Sequence, residues 1–453
     1  MTMRTILLIA CFYLIFFVAI PPFQSNDEPD HFQYIYYLAQ GIYPKIPDVG
    51  GLVVFDPSVQ TVYDIIEVVS NDYHVPNFKK IQKAVSQNIP FSVSDKTKPL
   101  TYQAHHPPLY FTAALLFFLP SYKFTQGLIP TYYATRLISS FFFILSVYIA
   151  WLIAKILIKN RKTAQYLVAV FAINPVMLKM GVSINPDIAS TAIGLATLWF
   201  VLSVLQKKII TKKVVLILIG ILSCAVYIKF QNIVYLFFSF IFFCTLGVRI
   251  HKPKRFALLG IFVVLIVLII YSPWLLHSFY HYRTFLPSSF VYTFFCTANL
   301  PHVSWFRIPF DTLLELRHSF YHFAGFLGWG EPYPFSQFFF TYALFFMVFI
   351  FLGAIYVYKT AKNLEWRYML LYAICVCLFF LAVSFTYKVN RYSCDVQGRY
   401  LLAALFPFIL LAWKGLCLIR PEKKESYAKA LYVFGVWQYF FILCYVLIPR
   451  YYV

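Results

Sequence analysis

Residues 5–31 read TILLIACFYLIFFVAIPPFQSNDEPDH: an apolar run that ends in Pro21-Pro22 and is followed at once by Asp27, Glu28, Asp30 and His31. The apolar part suits a membrane helix, since about 20 residues of helix cross roughly 30 Å of hydrocarbon. A charged side chain at the centre of such a helix costs on the order of 2.5–3.5 kcal/mol. The acidic cluster therefore has to stand at the water boundary or in a polar cavity, and charge that dense beside a membrane points to chemistry.

Working outward, the same apolar texture recurs along all 453 residues. The chain is 61% hydrophobic, 21% aromatic and only 12% charged, too few charges for the surface of a soluble domain. The sequence predicts an all-α polytopic membrane protein, one integral-membrane domain over 1–453. Helices are expected near 5–22, 131–158, 164–182, 188–206, 214–230, 232–248, 256–276, 338–358, 367–386, 399–419 and 428–449, about 11 transmembrane helices. Residues 108–120 are also apolar but are expected to form a juxtamembrane helix, because a crossing there would invert the charge pattern that follows. Two large extracytoplasmic loops remain, 23–107 and 277–337.

The formal charge of +21 would suggest nucleic acid in a soluble protein. Here its placement gives topology instead. With the N-terminus inside, the short linkers holding Lys155, Lys159, Arg161 and Lys162, then Lys207, Lys208, Lys212 and Lys213, then Arg249, Lys252, Lys254 and Arg255, all face the cytoplasm, as the positive-inside rule asks. Every acidic residue except Glu365, Glu422 and Glu425, and every histidine except His251, falls on the opposite face. The titratable chemistry is expected outside, with no nucleic-acid partner. The first run, with only Arg4 ahead of it and no small-residue cleavage site, reads as an uncleaved anchor. The nine cysteines show no metal-type spacing; Cys296 and Cys394 fall in outer loops and are expected to be free thiols.

In the first outer loop Pro29 suits an early helical position, so a helix is expected to follow Glu28 and to stop at Gly41. Ser25-Asn26-Asp27-Glu28 also fits an ordinary capping box, Ser then Glu three residues on. Capping needs one or two polar groups, however, and four stand here. His105-His106-Pro107-Pro108 offers a helix start or, beside an acidic corner, ligands for a metal or a phosphate. Asn185-Pro186-Asp187 reads as a capped helix start that accounts for Asp187 in full. Lys179 and Lys229 near helix ends either snorkel or point into a shared cavity, and snorkelling is the expected role. The second loop is aromatic, and Phe310 to His322 has the spacing of an interfacial helix that could wall a lipid-borne substrate. Further on, Lys388, Arg391, Asp395, Gln397, Gly398, Arg399 and Tyr400 crowd a helix entrance. Arginines beside free backbone N–H groups there make either a phosphate cradle or a solvated turn.

The motifs PPFQSNDEPDHF, HPPLY, NPD and QGRYL, in that order, resemble the bacterial membrane family labelled domain of unknown function 2142. That family is similar to the glycosyltransferase C (GT-C) superfamily. The resemblance implies a GT-C-like transferase of the bacterial cytoplasmic (inner) membrane. It would take a sugar from a polyprenyl-phosphate-linked donor and pass it to a cell-envelope or surface-glycan acceptor, glycan or lipid, at the extracytoplasmic face. It also implies that an acidic residue of the first loop acts on the acceptor, which maps onto Asp27 or Glu28.

A phosphate-linked sugar is already activated, so transfer needs a carboxylate to take the acceptor's proton and cations to meet the departing phosphate. The candidate catalytic residues are Asp27, Glu28 and Asp30. Candidate substrate and phosphate contacts are Arg399, Arg391, Lys388, His31, His105 and His106. A divalent metal is left open, with Asp27 and Glu28 as its ligands if one is used. A flippase or transporter of lipid-linked glycans, or a polymerase of surface polysaccharide, is the rival. A transporter would be expected to carry charges along a midplane path, whereas here they collect at one face.

Overall fold

The computed structural model describes residues 1–25, 27–46, 100–207, 210–285, 307–313, 336–361, 363–389 and 398–452, with isolated positions between 57 and 91. Among them the chain is helical, with no strand beyond a lone bridge between Lys45 and Leu100. Helix α1 (Met3–Ala19) opens with the Thr2 hydroxyl accepting from the Thr5 N–H and stops ahead of Pro21-Pro22, where no backbone donor is available. Next come α2 (Glu28–Ala39), α3 (Leu109–Thr125), α4 (Leu128–Leu157), α5 (Arg161–Ile173) and the short α6 (Pro175–Gly181). They are followed by α7 (Pro186–Lys207), α8 (Lys212–Ile228), α9 (Ile233–Arg249) and α10 (Pro253–Tyr282). The last group is α11 (Ser336–Thr360), α12 (Leu364–Val389), α13 (Leu402–Leu416) and α14 (Lys424–Ile442).

Every expected apolar run is helical, but the runs are not equal. Among the described residues eight helices are long and apolar enough to cross a membrane, nine if α5 and α6 make one broken span. Helices α1 and α8 have 17 residues each, about 25 Å at 1.5 Å per residue. The helix expected over 164–182 is bent by 61° at Asn174-Pro175. Pro175 cannot continue the ladder, and the Asn174 side chain caps the new helix by accepting from the N–H groups of Val176 and Met177. The expected juxtamembrane helix is α3. Residues 286–306 and 314–335, most of the aromatic second loop and of the interfacial helix expected over Phe310 to His322, lie outside the described residues, as do Arg391, Cys296 and Cys394.

Two devices fix the bundle around the site. Helices α11 and α13 cross backbone to backbone at Gly353 and Gly415, where an added Cβ would sit 1.9 Å from the Leu411 carbonyl oxygen or 2.1 Å from that of Phe349. Helix α4 places Thr131, Thr135, Arg136, Ser139 and Ser140 on a buried face. Its hydroxyls bond back to its own carbonyls or to Tyr110 and Tyr13. Helices α7 and α13 are the most enclosed spans, and both start at the end of the bundle that carries Asp27.

Candidate active site

Asp27 precedes α2 in a left-handed backbone conformation, φ 58°, and its side chain makes no capping bond. A helix that begins Glu28-Pro29 has already lost one N–H that needs a partner, and the Asp27 carboxylate turns elsewhere. Arg399 Nη2 donates to Asp27 Oδ2 at 2.5 Å across 372 residues of sequence. Gly398 to Leu401 form a 3₁₀ turn that leads into α13 and presents Arg399.

The partner that closes this arrangement is Asp187. Asn185 Oδ1 accepts from the Asp187 N–H at 2.8 Å, so the asparagine does the capping and the aspartate is free for other work. Its Oδ2 stands 3.2 Å from Arg399 Nε, and its Oδ1 is in direct contact with Lys229 Nζ. Lys229 follows the last turn of α8 in an extended conformation, φ −157°, which turns the side chain inward. Its ammonium lies 4.5 Å above the Tyr400 ring. The expectations for these two residues are corrected accordingly: Asp187 is more than a cap, and Lys229, at 4% exposure, does not snorkel. The result is a chain of alternating charge, Asp27, Arg399, Asp187, Lys229. Arg399 Nη1 is buried and has no hydrogen-bond partner among the described residues. Asp187, Lys229, Arg399 and Tyr400 line a narrow cleft of about 40 Å³.

Glu28 does something different. Arg136 donates from Nε to Oε1 at 3.1 Å and from Nη2 to Oε2 at 3.2 Å. The Ile184 N–H reaches Oε1 at 2.9 Å and the Ser25 N–H reaches Oε2 at 3.4 Å. Both Glu28 and Arg136 are wholly buried. With four donors on two oxygens, the carboxylate is occupied, which argues against Glu28 as a base or a metal ligand. Only the Glu28 half of the anticipated capping box forms, since the Ser25 hydroxyl accepts from Ser183 instead.

Asp30, His31 and His106 lie behind Asp27. Burial, then the Asp27 charge, pushes the Asp30 carboxyl well above the usual carboxylate range. Its Oδ1 has no hydrogen-bond partner among the described residues. Burial, then the nearby Arg399 guanidinium, holds His31 well below its usual range, and burial with His105 does the same for His106. Neutral imidazoles add no positive charge for a phosphate, so these two histidines suit hydroxyl contacts better than the phosphate role expected of them. The His105 and His106 rings are 3.9 Å apart, and His106 faces His31 at 6.2 Å. Lys388 lies in the last turn of α12.

Among the described residues no three His, Cys, Asp or Glu side chains converge to hold a metal ion. A cation shared by Asp27 and Asp187 would have to displace the Arg399 guanidinium that both carboxylates contact. Beside the charged cleft runs an apolar groove of about 700 Å³ between α9, α10 and α12, with Leu236, Phe240, Leu265 and Leu378 on its walls. Val234 and Phe379 line both spaces.

Sequence reasoning named Asp27 and Arg399 but missed the joining roles of Asp187 and Lys229, and passed over Arg136. A charge in the body of the 30-residue apolar α4, away from Lys155 in its last turn, was the available signal.

The helical architecture is similar to that of solved structures of low sequence identity. One similar solved structure is ArnT from Cupriavidus metallidurans in the apo state, with a TM-score of 0.50 and 14% identity over 92% of this chain and 59% of that one. Another is the archaeal oligosaccharyltransferase AglB from Archaeoglobus fulgidus, in complex with an inhibitory peptide and a dolichol-phosphate. Its TM-score is 0.52, with 12% identity over 100% of this chain and 56% of that one. The chain thus spans less than two thirds of the length of either. No curated protein matches it in sequence. The chain belongs to the family described as predicted membrane protein (DUF2142), whose pattern matches residues 11–410.

Proposed function

We propose that the protein is an integral-membrane glycosyltransferase of the inner membrane, acting at the extracytoplasmic face. It transfers a sugar from a polyprenyl-phosphate donor to an envelope or surface-glycan acceptor. The observation that carries this reading is the juxtaposition of two unlike spaces: a cluster with two buried cations, and an apolar groove that meets it at Val234 and Phe379. A lipid phosphate has that shape, a long apolar tail on an anionic head. The groove takes the tail, while Lys229 and the Nη1 of Arg399, unpartnered among the described residues, take the phosphate. That AglB was solved with a dolichol-phosphate supports a carrier of this class.

In the reaction the acceptor hydroxyl attacks the anomeric carbon, forming the new C–O bond as the bond to the carrier's phosphate breaks. The hydroxyl proton passes to Asp27, the more open of the two cluster carboxylates at 22% side-chain exposure against 4% for Asp187. The phosphate leaves with the bonding electron pair, and its growing charge is met by Arg399 and Lys229. Asp187 keeps those cations oriented, and Asp30 and His31 border the acceptor side. The test is transfer from a panel of polyprenyl-phosphate sugars by purified protein in lipid, wild type beside Asp27→Asn. Turnover lost in a folded variant is the expected result, and unchanged turnover would remove Asp27 from the mechanism. Lipid movement between leaflets without turnover would move the assignment to a flippase.

A further inference from the structure

Arg136 is a wholly buried charge in the body of the long apolar helix α4, whose other charge, Lys155, stands in its last turn, and the transfer chemistry leaves Arg136 without a task. Its donors all go to one short stretch: Nη1 to the Ile20 carbonyl at 2.8 Å, Nη2 to Pro21 at 3.0 Å, and Nε and Nη2 to Glu28. Glu28 in turn receives the Ile184 N–H, three residues before Asp187. The loop before α2 and the turn before α7 are therefore stitched twice, Glu28 to Ile184 and Ser183 to Ser25, the latter at 2.7 Å. On the α2 side, the Ser25 N–H reaches Glu28 Oε2 and the Glu28 N–H reaches the Ser25 carbonyl at 3.2 Å, pinching the chain around Asp27. On the α7 side, Asn185 closes the turn on Asp187.

We propose that Glu28 and Arg136 are positioning residues that fix the separation of Asp27 and Asp187 across Arg399, an inference that rests on the glycosyl-transfer reading above. The left-handed backbone of Asp27 is the sign of it. An unfavourable conformation at a non-glycine residue persists only where its surroundings over-determine it, and here the surroundings are the pinch that Arg136 anchors. Stability alone is a poor reason for the pair, because a buried ion pair replaced by apolar side chains of similar size often leaves a protein as stable as before. What the apolar replacement cannot supply is the set of bonds to Ile20, Pro21, Ser25 and Ile184.

The test is the double variant Glu28→Leu/Arg136→Met in lipid, read by steady-state kinetics and by backbone hydrogen exchange of peptides covering 23–28 and 182–187. Displacement of a reacting group by about 1 Å costs roughly 100-fold in rate, so kcat should fall by about that factor. KM for the donor should stay within about threefold, since the phosphate and tail contacts are elsewhere. Exchange should rise in those two segments and not through the bundle. A folded double variant with kcat within about threefold of wild type and unchanged exchange overturns the proposal. If that variant does not fold, Glu28→Gln takes its place. It keeps the shape with one accepting oxygen fewer, the same split between kcat and KM is expected, and the same null result overturns the proposal. Should wild type transfer no sugar from any polyprenyl-phosphate donor, the function assigned above fails. The exchange measurement then still decides whether the pair holds the two loops together.

Discussion

Asp187→Asn separates the two readings of Asp187 most sharply. If the residue only complements the start of α7, losing its charge costs about 0.3–1 kcal/mol, the range for a carboxylate at a helix terminus. The cluster geometry demands more. Asp187 and Lys229 have side chains 4% and 5% exposed and in direct contact, and Arg399, 9% exposed, contacts the other carboxylate oxygen. Solvent screens little at such burial. Removing one partner of a buried pair leaves an uncompensated charge at a cost of about 3–5 kcal/mol, and Asn at this position leaves Lys229 and Arg399 facing Asp27 alone. The gap between the readings is at least about 2 kcal/mol. The assay is denaturation in lipid or detergent micelles for Asp187→Asn, Lys229→Met and the double variant. The coupling energy from that cycle should be at least about 1.5 kcal/mol, because Lys229→Met removes the charge that Asp187→Asn strands. The neutral cluster also becomes cationic in Asp187→Asn, so inorganic phosphate should stabilise that variant more than wild type by preferential binding to the folded state. A single-variant cost below about 1 kcal/mol, additive with Lys229→Met, would return Asp187 to capping and Lys229 to the interface.

His31 is held below its ordinary range in the folded protein, so its contribution to stability is complete above about pH 6.5 and is lost as the pH falls through the depressed value. His31→Phe should flatten the acid side of a stability profile measured between neutral pH and pH 5. Asp30 has the opposite sign: a raised carboxyl favours folding below the ordinary carboxylate range, an advantage lost as pH rises through the raised value. Asp30→Asn should therefore gain stability relative to wild type at neutral pH, seen as a higher denaturation midpoint. Gly353→Ala puts a methyl group into the Leu411 backbone and should destabilise by at least about 1–3 kcal/mol. Gly220→Ala, where nothing lies within 4 Å, should be neutral or stabilising by up to about 1 kcal/mol in the same scan.

What could be read from the sequence follows the range of the physics involved. The all-helical class was legible because 20-residue apolar runs admit few other structures, whereas the helix expected over 164–182 ran through the break that Asn174-Pro175 makes. The site was half legible. Asp27 and Arg399 stand out locally, as an acidic cluster beside a membrane and as an arginine after a glycine at a helix start. Asp187 carries a sufficient local explanation in Asn-Pro-Asp, and that explanation hides it, since Asn185 performs the capping that would have accounted for it. Lys229 is equally ambiguous one helix end at a time. Its backbone torsion, set where α8 gives way to the 3₁₀ turn Phe230–Asn232, decides between lipid headgroups and the cleft. Glu28 erred in the other direction. Adjacent to Asp27 and identical in charge, it was indistinguishable from a catalytic residue until Arg136, 108 positions away, was seen to take both of its oxygens. Two neighbouring carboxylates thus divide the work by what each meets across the fold. The one with Arg399 stays partly open, as the proposed base must, and the one with Arg136 is sealed, as the proposed positioning role requires.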